Sequence, residues 1–247
     1  MKKIAFLLGF VAISLTSCSS DDSGSSTDDG SDDVLIKKIV YTDDTDDFTQ
    51  VIQYTYSGNK IVQATYDDGS VDTYTYSGDL ITQIDQTMGS QLLYRDSFTY
   101  DGNGRLTLYV SQDIEDEWEE TESFVYNSDG TVTSNYDGLI STLHFENDEV
   151  TQMVQTGFDT YTYTYDGKNS PFKNVTGYSK IAFANHGDHE FFGAKQNIIS
   201  IHDDTNDIDY MTNTLTYNAN NYPTSSTSVA IFDSEGTYTA NVQYTYY

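Results

Sequence analysis

Tyr54-Thr55-Tyr56-Ser57-Gly58-Asn59-Lys60-Ile61-Val62 and, twenty residues later, Tyr74-Thr75-Tyr76-Ser77-Gly78-Asp79-Leu80-Ile81-Thr82 state one local rule twice. Tyr54 and Tyr56 flank Thr55, so in an extended chain both rings lie on one face and the threonine on the other. Ser57-Gly58-Asn59 supplies residues that tolerate positive φ, as tight hairpin turns require. Ile61 and Val62 then begin a return strand. The next connection, Asp67-Asp68-Gly69-Ser70, is a second turn signal. Turns about ten residues apart predict strands of about five to seven residues.

The rule recurs along the chain. Phe98 to Thr107 reads FTYDGNGRLT, Phe124 to Thr133 reads FVYNSDGTVT, and Leu143 to Thr151 is a degenerate copy. Tyr163 to Pro171 and Leu215 to Thr224 carry it further, and the chain ends in YTYY from Tyr244 to Tyr247. Between Val34 and Tyr247 this pattern predicts about 16 strands and no amphipathic helix of ordinary length. Composition agrees: Tyr is abundant at 22 and Pro is held to 2, and Tyr favours strands while central strands exclude Pro. The expected fold is all-β, an antiparallel meander of repeated hairpins curled into an open or closed barrel-like roll.

The N-terminus differs. Lys2 and Lys3 precede an uncharged stretch from Ile4 to Leu15, the length of a signal h-region and too short to span a bilayer as a mature helix. Leu15-Thr16-Ser17-Cys18 resembles a bacterial lipobox, and Cys18 is the only cysteine. The resemblance implies cleavage before Cys18 and lipid on its thiol and new amine, several chains giving stable anchoring. A lone cysteine also leaves no internal disulfide, so the fold must rest on its core. Residues 1–17 are thus expected to be a lipoprotein signal peptide and 18–33 a lipidated Cys with an acidic Ser/Asp tether. Residues 34–247 then form a single β-rich domain. Ser19 to Asp33 holds six Ser and six Asp and no large apolar side chain, the composition of a disordered spacer. Ser19-Ser20-Asp21-Asp22 resembles an acidic signal for display on the outer face of an outer membrane.

Two further resemblances concern the repeat. Tyr100-Asp101-Gly102-Asn103-Gly104-Arg105-Leu106 matches the Tyr-Asp repeat of Rhs-type proteins, which implies hairpin geometry. The whole chain, from lipobox to last strand, resembles uncharacterised bacterial surface lipoproteins of a porin-like type, a family with no assigned activity. A membrane-spanning barrel is not expected: the strands are short against the nine to eleven residues such strands need, and polar residues alternate against the Tyr face.

Charge narrows the partners. The formal charge of −28 becomes −30 once Lys2 and Lys3 are removed with the signal peptide. Such a field repels nucleic acid and favours cations, basic partners or uncharged glycans.

The turn period fails between Tyr165 and Leu215, an insertion expected over residues 166–200. Ser170-Pro171 is a helix-start signal, which predicts one short helix over Pro171 to Thr176. Lys168, Lys173, Lys180 and Lys195 stand there against Asp188 and Glu190, a local +2. The candidate ligand-binding residues are Lys173, His186 and His189 in this insertion, and Trp118 as a sugar-stacking ring. The alternative is a plug, with Phe172, Phe183 and Phe191 buried. His186, His189 and Glu190 are weak metal candidates, with His202 and Asp203 as further ligands. The alternating oxygens of Asp203 to Asp209 and of Asp43 to Asp47 suit at most weak calcium binding. No other cofactor is expected, and no catalytic residue stands out.

The leading expectation is a lipoprotein held to the outer membrane by its lipid alone and facing the cell exterior. It would be a non-enzymatic binding module for a glycan, a peptide or a partner protein. A hydrolase acting on extracellular polysaccharide or peptide, and a structural or adhesive component, stand beside it.

Overall fold

The computed structural model describes residues 34–43, 48–184, 193–232 and 236–247. Among them are sixteen strands: β1 (Ile36–Asp43), β2 (Phe48–Ser57), β3 (Lys60–Tyr66), β4 (Ser70–Ser77), β5 (Leu80–Met88), β6 (Gln91–Tyr100), β7 (Leu106–Asp113) and β8 (Trp118–Tyr126). Then follow β9 (Val132–Tyr136), β10 (Leu139–Glu146), β11 (Glu149–Gln155), β12 (Thr160–Tyr165), β13 (Ile198–Asp203), β14 (Ile208–Tyr217), β15 (Pro223–Phe232) and β16 (Gly236–Tyr246). Each strand pairs antiparallel with its neighbours in sequence, and β1 pairs with β16 from Ile36 opposite Tyr246 to Asp43 opposite Ala240. The meander is therefore a closed barrel with no free edge.

The repeat does more than mark turns. At the ends of β2, β4, β6, β12 and β14 the register against the next strand shifts between a threonine and the final tyrosine: Thr55/Tyr56, Thr75/Tyr76, Thr99/Tyr100, Thr164/Tyr165 and Thr216/Tyr217. A β-bulge adds twist and bends the strand, and repeated bulges give a wide sheet the curvature to close. Three of these tyrosines, and Tyr246 of β16, then seal the end of the adjacent ladder, while the Tyr217 hydroxyl donates to Asp166 instead and the buried Tyr76 hydroxyl makes no such bond. Tyr56 donates its hydroxyl to the Ile36 carbonyl at 2.7 Å, Tyr100 to Ile81 at 2.6 Å, Tyr165 to Val150 at 2.7 Å, and Tyr246 to Pro223 at 2.8 Å. Each of these carbonyls lies two residues beyond the last paired residue of its strand on that side, namely Lys38, Gln83, Gln152 and Ser225. The phenol supplies a donor where the neighbouring backbone has splayed away.

Strand length departs from the expectation. The strands run from five residues in β9 to eleven in β16, because the alternation continues through the Thr and Gln positions on the far side of each turn. Length alone thus no longer argues against a spanning barrel. The outer face does. Facing outward are Gln53 and Thr55 of β2, Thr160, Thr162 and Thr164 of β12, and Thr212, Thr214 and Thr216 of β14. Most apolar and aromatic side chains point inward into two packed clusters, one around Ile81, Phe98, Leu106, Leu143, Met153 and Ile201, the other around Ile36, Tyr54, Ile61 and Ala64; scattered exceptions such as Val62, Val125, Ile140 and Ile231 are exposed. A bilayer-spanning barrel carries an apolar band outside; here the polarity is reversed.

The insertion between β12 and β13 fills one end of the lumen. Phe172 and Val175 are buried in the second cluster, and Ile181, Phe183 and Ala184 pack on the first. Phe172 stacks on Tyr178 at 4.5 Å and meets Tyr54 edge-on at 5.6 Å. Phe183 sits edge-on to Phe124 and Phe145. Lys173 and Lys180 are exposed.

The helix expected over Pro171 to Thr176 is not formed; this stretch is a run of turns, and the helical element is a 3₁₀ turn over Tyr178–Lys180. Ser170 does act as a cap, its Oγ accepting the Phe172 N–H at 3.3 Å. Tertiary bonds then divert the chain: Thr176 N–H donates to the Asn59 carbonyl at 2.9 Å, and Gly177 turns at φ +82°. A Cβ on Gly177 would lie 2.7 Å from the Asp79 carbonyl oxygen, so only glycine passes this turn without displacement.

The tyrosine seals give a direct test. Tyr100→Phe leaves the carbonyl of fully buried Ile81 without its donor. We expect a loss of about 1–2 kcal/mol, read as a lower urea midpoint at unchanged m-value. Thr99→Ala, on the exposed face next to it, should stay within about 0.5 kcal/mol.

Candidate functional site

The barrel has two unlike ends. One carries the plug. At the other the described connections are tight turns, and here one row of side chains crosses five strands. Asp72 of β4 is opposite Gln86 of β5, Gln86 opposite Tyr94 of β6, Tyr94 opposite Asp113 of β7, and Asp113 opposite Trp118 of β8. Residues opposite one another share a face. Asp72 lies on the inward face with Tyr74, so the row lines the mouth. Trp118 and Tyr94 are each 41% exposed there, with Ile114 beside them at the same exposure. Two accessible rings flanking a carboxylate combine stacking surface with a hydrogen-bond acceptor.

Local sequence builds the row. Asp113 Oδ1 accepts the N–H groups of Glu115 and Asp116 at 3.0 and 3.1 Å, closing the turn that brings Trp118 back beside it. Burial and the neighbouring Asp113 both push the Tyr94 phenol up, so it stays a neutral donor.

Below the rim lies a set of buried acids. Asp72 accepts Tyr66 Oη at 2.6 Å and Gln86 Nε2 at 3.0 Å. Asp96 accepts Tyr109 Oη at 2.9 Å. Glu122 is fully buried and accepts the Ser134 hydroxyl. Desolvation dominates at Asp72: burial pushes its carboxyl up to about 6, the bonds from Tyr66 and Gln86 pull it down, and the charges of Asp96 and Asp68 push it up again. Burial also raises Asp96, against hydrogen bonds from Ser111 and Tyr109.

The residues singled out from sequence fall at opposite ends. Trp118 is at the mouth. Lys173 is at the plug end, where its Nζ donates to Asn169 Oδ1 at 2.6 Å. His186, His189, Glu190 and Phe191 lie outside the described residues, as does Cys18. The two exposed sites therefore do not form one pocket. Beside the plug is a shallow cleft of about 10 Å³ lined by Asp148, Glu149, Tyr165, Phe183 and Ala194 among others, room for about one water molecule against the 300–1,000 Å³ typical of ligand pockets. Its acid is engaged structurally: the Glu149 carboxylate accepts the backbone N–H groups of Ala194, Lys195 and Gln196 at 2.8, 2.6 and 2.7 Å. That clamp fixes the exit of the plug into β13.

Asp203 is likewise engaged, accepting the N–H groups of Thr205 and Asn206 and the Asn206 amide. His202 Nδ1 lies 2.9 Å from Asp209 Oδ1. Among the described residues no group of three His, Cys, Asp or Glu side chains is arranged to hold a metal. Sequence reasoning singled out Trp118, within the acidic run from Asp113 to Glu122, but missed Tyr94 and the inward pair Asp72 and Asp96. Their grouping depends on register across several strands, which residue spacing within one strand does not reveal.

No family model matches the chain, and no curated protein matches it. Among solved structures it is similar to a porin-like protein from Bacteroides uniformis ATCC 8492. The two share 19% sequence identity at a TM-score of 0.51, over 86% of this chain and 98% of that one. The likeness is one of fold.

Asp72 and Asp96 make stability depend on pH with a definite sign. A carboxyl whose folded value lies above its unfolded one binds its proton more tightly when folded, so stability rises as pH falls. For Asp72 the window runs from about 6 toward 4, and its full contribution is on the order of 2–3 kcal/mol. Urea midpoints should therefore be higher at pH 5 than at pH 7.5. Asp72→Asn should flatten that rise; an unchanged pH slope in the variant would assign it to the other acids.

Proposed function

We propose that this chain is a lipid-anchored binding barrel of the outer membrane, displayed toward the cell exterior, which takes a glycan at its open mouth. The observation that carries this reading is the row Tyr94–Asp113–Trp118, two exposed rings with a carboxylate between them at the end opposite the plug. Sugar rings present apolar faces that stack on such rings and hydroxyls that donate to such carboxylates. The polar exterior and apolar interior support a barrel that is attached to a membrane rather than embedded in one. The lipobox-like sequence at Cys18 supplies the attachment, and a peptide or partner protein with an exposed apolar face would use the same row.

Two measurements test the reading. Trp118→Ala and Tyr94→Ala together should abolish binding on a glycan and peptide array, with the urea midpoint little changed because both side chains are accessible. Retained binding would remove the mouth from consideration, and release of shortened glycan products would favour a hydrolase instead. Separately, Cys18→Ala should move the protein from the membrane to the soluble fraction. Its retention on membranes after a high-salt wash would exclude the lipid anchor.

A further inference from the structure

Charge is sorted along the barrel axis. Of the nine Lys and Arg that follow Cys18, eight lie on the half that carries the plug. Lys37 and Lys38 open β1, Lys60 opens β3, Arg105 follows the turn after β6, and Lys168, Lys173, Lys180 and Lys195 are in the insertion. The ninth, Arg95, is mid-strand and binds Asp85 at 2.7 Å. The described connections of the mouth end hold Asp67, Asp68, Glu115, Asp116, Glu117, Asp137, Asp159, Asp204 and Asp207, with no Lys or Arg. Residues 44–47 and 233–235 are DTDD and DSE in sequence and add none.

At the plug end the acids are offset: Lys60 pairs with Asp79 at 3.0 Å, Arg105 with Asp101 at 2.6 Å, and Lys195 with Asp148. The two ends thus differ sharply, one nearly compensated and one strongly negative.

The chain enters at the compensated end. Val34 lies beside the plug, its carbonyl accepting Asn174 Nδ2 at 3.1 Å. Fifteen residues separate Cys18 from Val34, which can reach at most about 50 Å when extended. A strand of ten residues rises only about 34 Å. Chain length alone therefore allows the barrel to lie either way up, and charge must decide.

We propose that the plug end is a membrane-facing surface for anionic lipid headgroups and that it holds the mouth pointing away from the bilayer. This rests on the lipid-anchor reading above. The acidic rim is repelled by the headgroups, and the lysines of the plug half are drawn to them, within a screening distance of about 10 Å at 0.1 M salt. The mouth row of Trp118 and Tyr94 then faces the exterior.

The full lipidated protein tests this in vesicles of phosphatidylcholine containing 30 mol% phosphatidylglycerol. With Cys18 blocked by lipid, a single new cysteine takes a donor dye: Asn103→Cys at the plug-end turn, or Ser90→Cys at the mouth-end turn, both exposed. At 20 mM salt, energy transfer to an acceptor in the membrane should be at least twofold greater from position 103 than from position 90. The difference should shrink in 500 mM salt, in pure phosphatidylcholine, and in the Lys173→Glu/Lys180→Glu variant. Equal transfer from both positions, or more from position 90, overturns the proposal. A difference indifferent to salt and lipid charge overturns its electrostatic basis. The mass of the N-terminal fragment is read in the same preparation. An unmodified Cys18 removes the lipid anchor and the orientation with it, whereas a lipidated Cys18 with equal transfer removes the orientation alone.

Discussion

Sixteen strands enclose more space than the side chains on their inner face can fill. Barrels of sixteen to eighteen strands ordinarily leave an aqueous channel. In this chain the inner face is aromatic and aliphatic, so an open channel would expose that surface to water along the whole lumen. The insertion between β12 and β13 resolves the conflict by carrying Phe172, Val175, Ile181 and Phe183 inside. What the repeat requires by closing, the insertion provides by filling. The Glu149 clamp on its exit and the passage of Gly177 against the Asp79 carbonyl hold it there.

Closure itself rests on local chemistry that was mostly legible. Aromatic–Thr–Tyr followed by a Gly turn announced hairpins, and the turn spacing announced about sixteen strands, which is what forms. The same period underestimated strand length, because the bulge at the last tyrosine lets pairing resume on the other side of a residue that looked like part of the turn. Ser170-Pro171 was a sound N-terminal signal and Ser170 does cap. It did not grow into a helix because Thr176 and Asn174 bond instead to Asn59, Val34 and Tyr222, partners far away in sequence. The mouth row was the least legible part. Nothing in its local sequence marks Asp72, and Asp113 is one of a run of acids; only the ladder from β4 to β8 sets them in line with Trp118.

The similarity to a porin-like protein concerns the path of the backbone, and this chain places polar residues outside that path and apolar ones inside it. Threonines at alternate positions of β12 and β14 face outward while Tyr161, Tyr163 and Met211 face in. A strand tolerates either arrangement, since its two faces are independent. Buried carboxyls such as Asp72, Asp96 and Glu122 are the cost of keeping the upper lumen polar beneath the mouth. Each has a hydroxyl donor from Tyr66, Tyr109 or Ser134, so none is left to burial alone.

The seam between β1 and β16 has a mechanical meaning. The chain enters the barrel at Val34 and runs directly into β1, which is bonded to β2 on one side and β16 on the other. The Leu35 carbonyl also holds the Tyr247 N–H at 3.0 Å. A pull on the N-terminus against resistance at the far rim would run along the axis of β1 and load both ladders in shear, with many hydrogen bonds strained together. The same force applied across the strand would open them one at a time. A load entering through β1 would thus be shared by two hydrogen-bonded ladders at once.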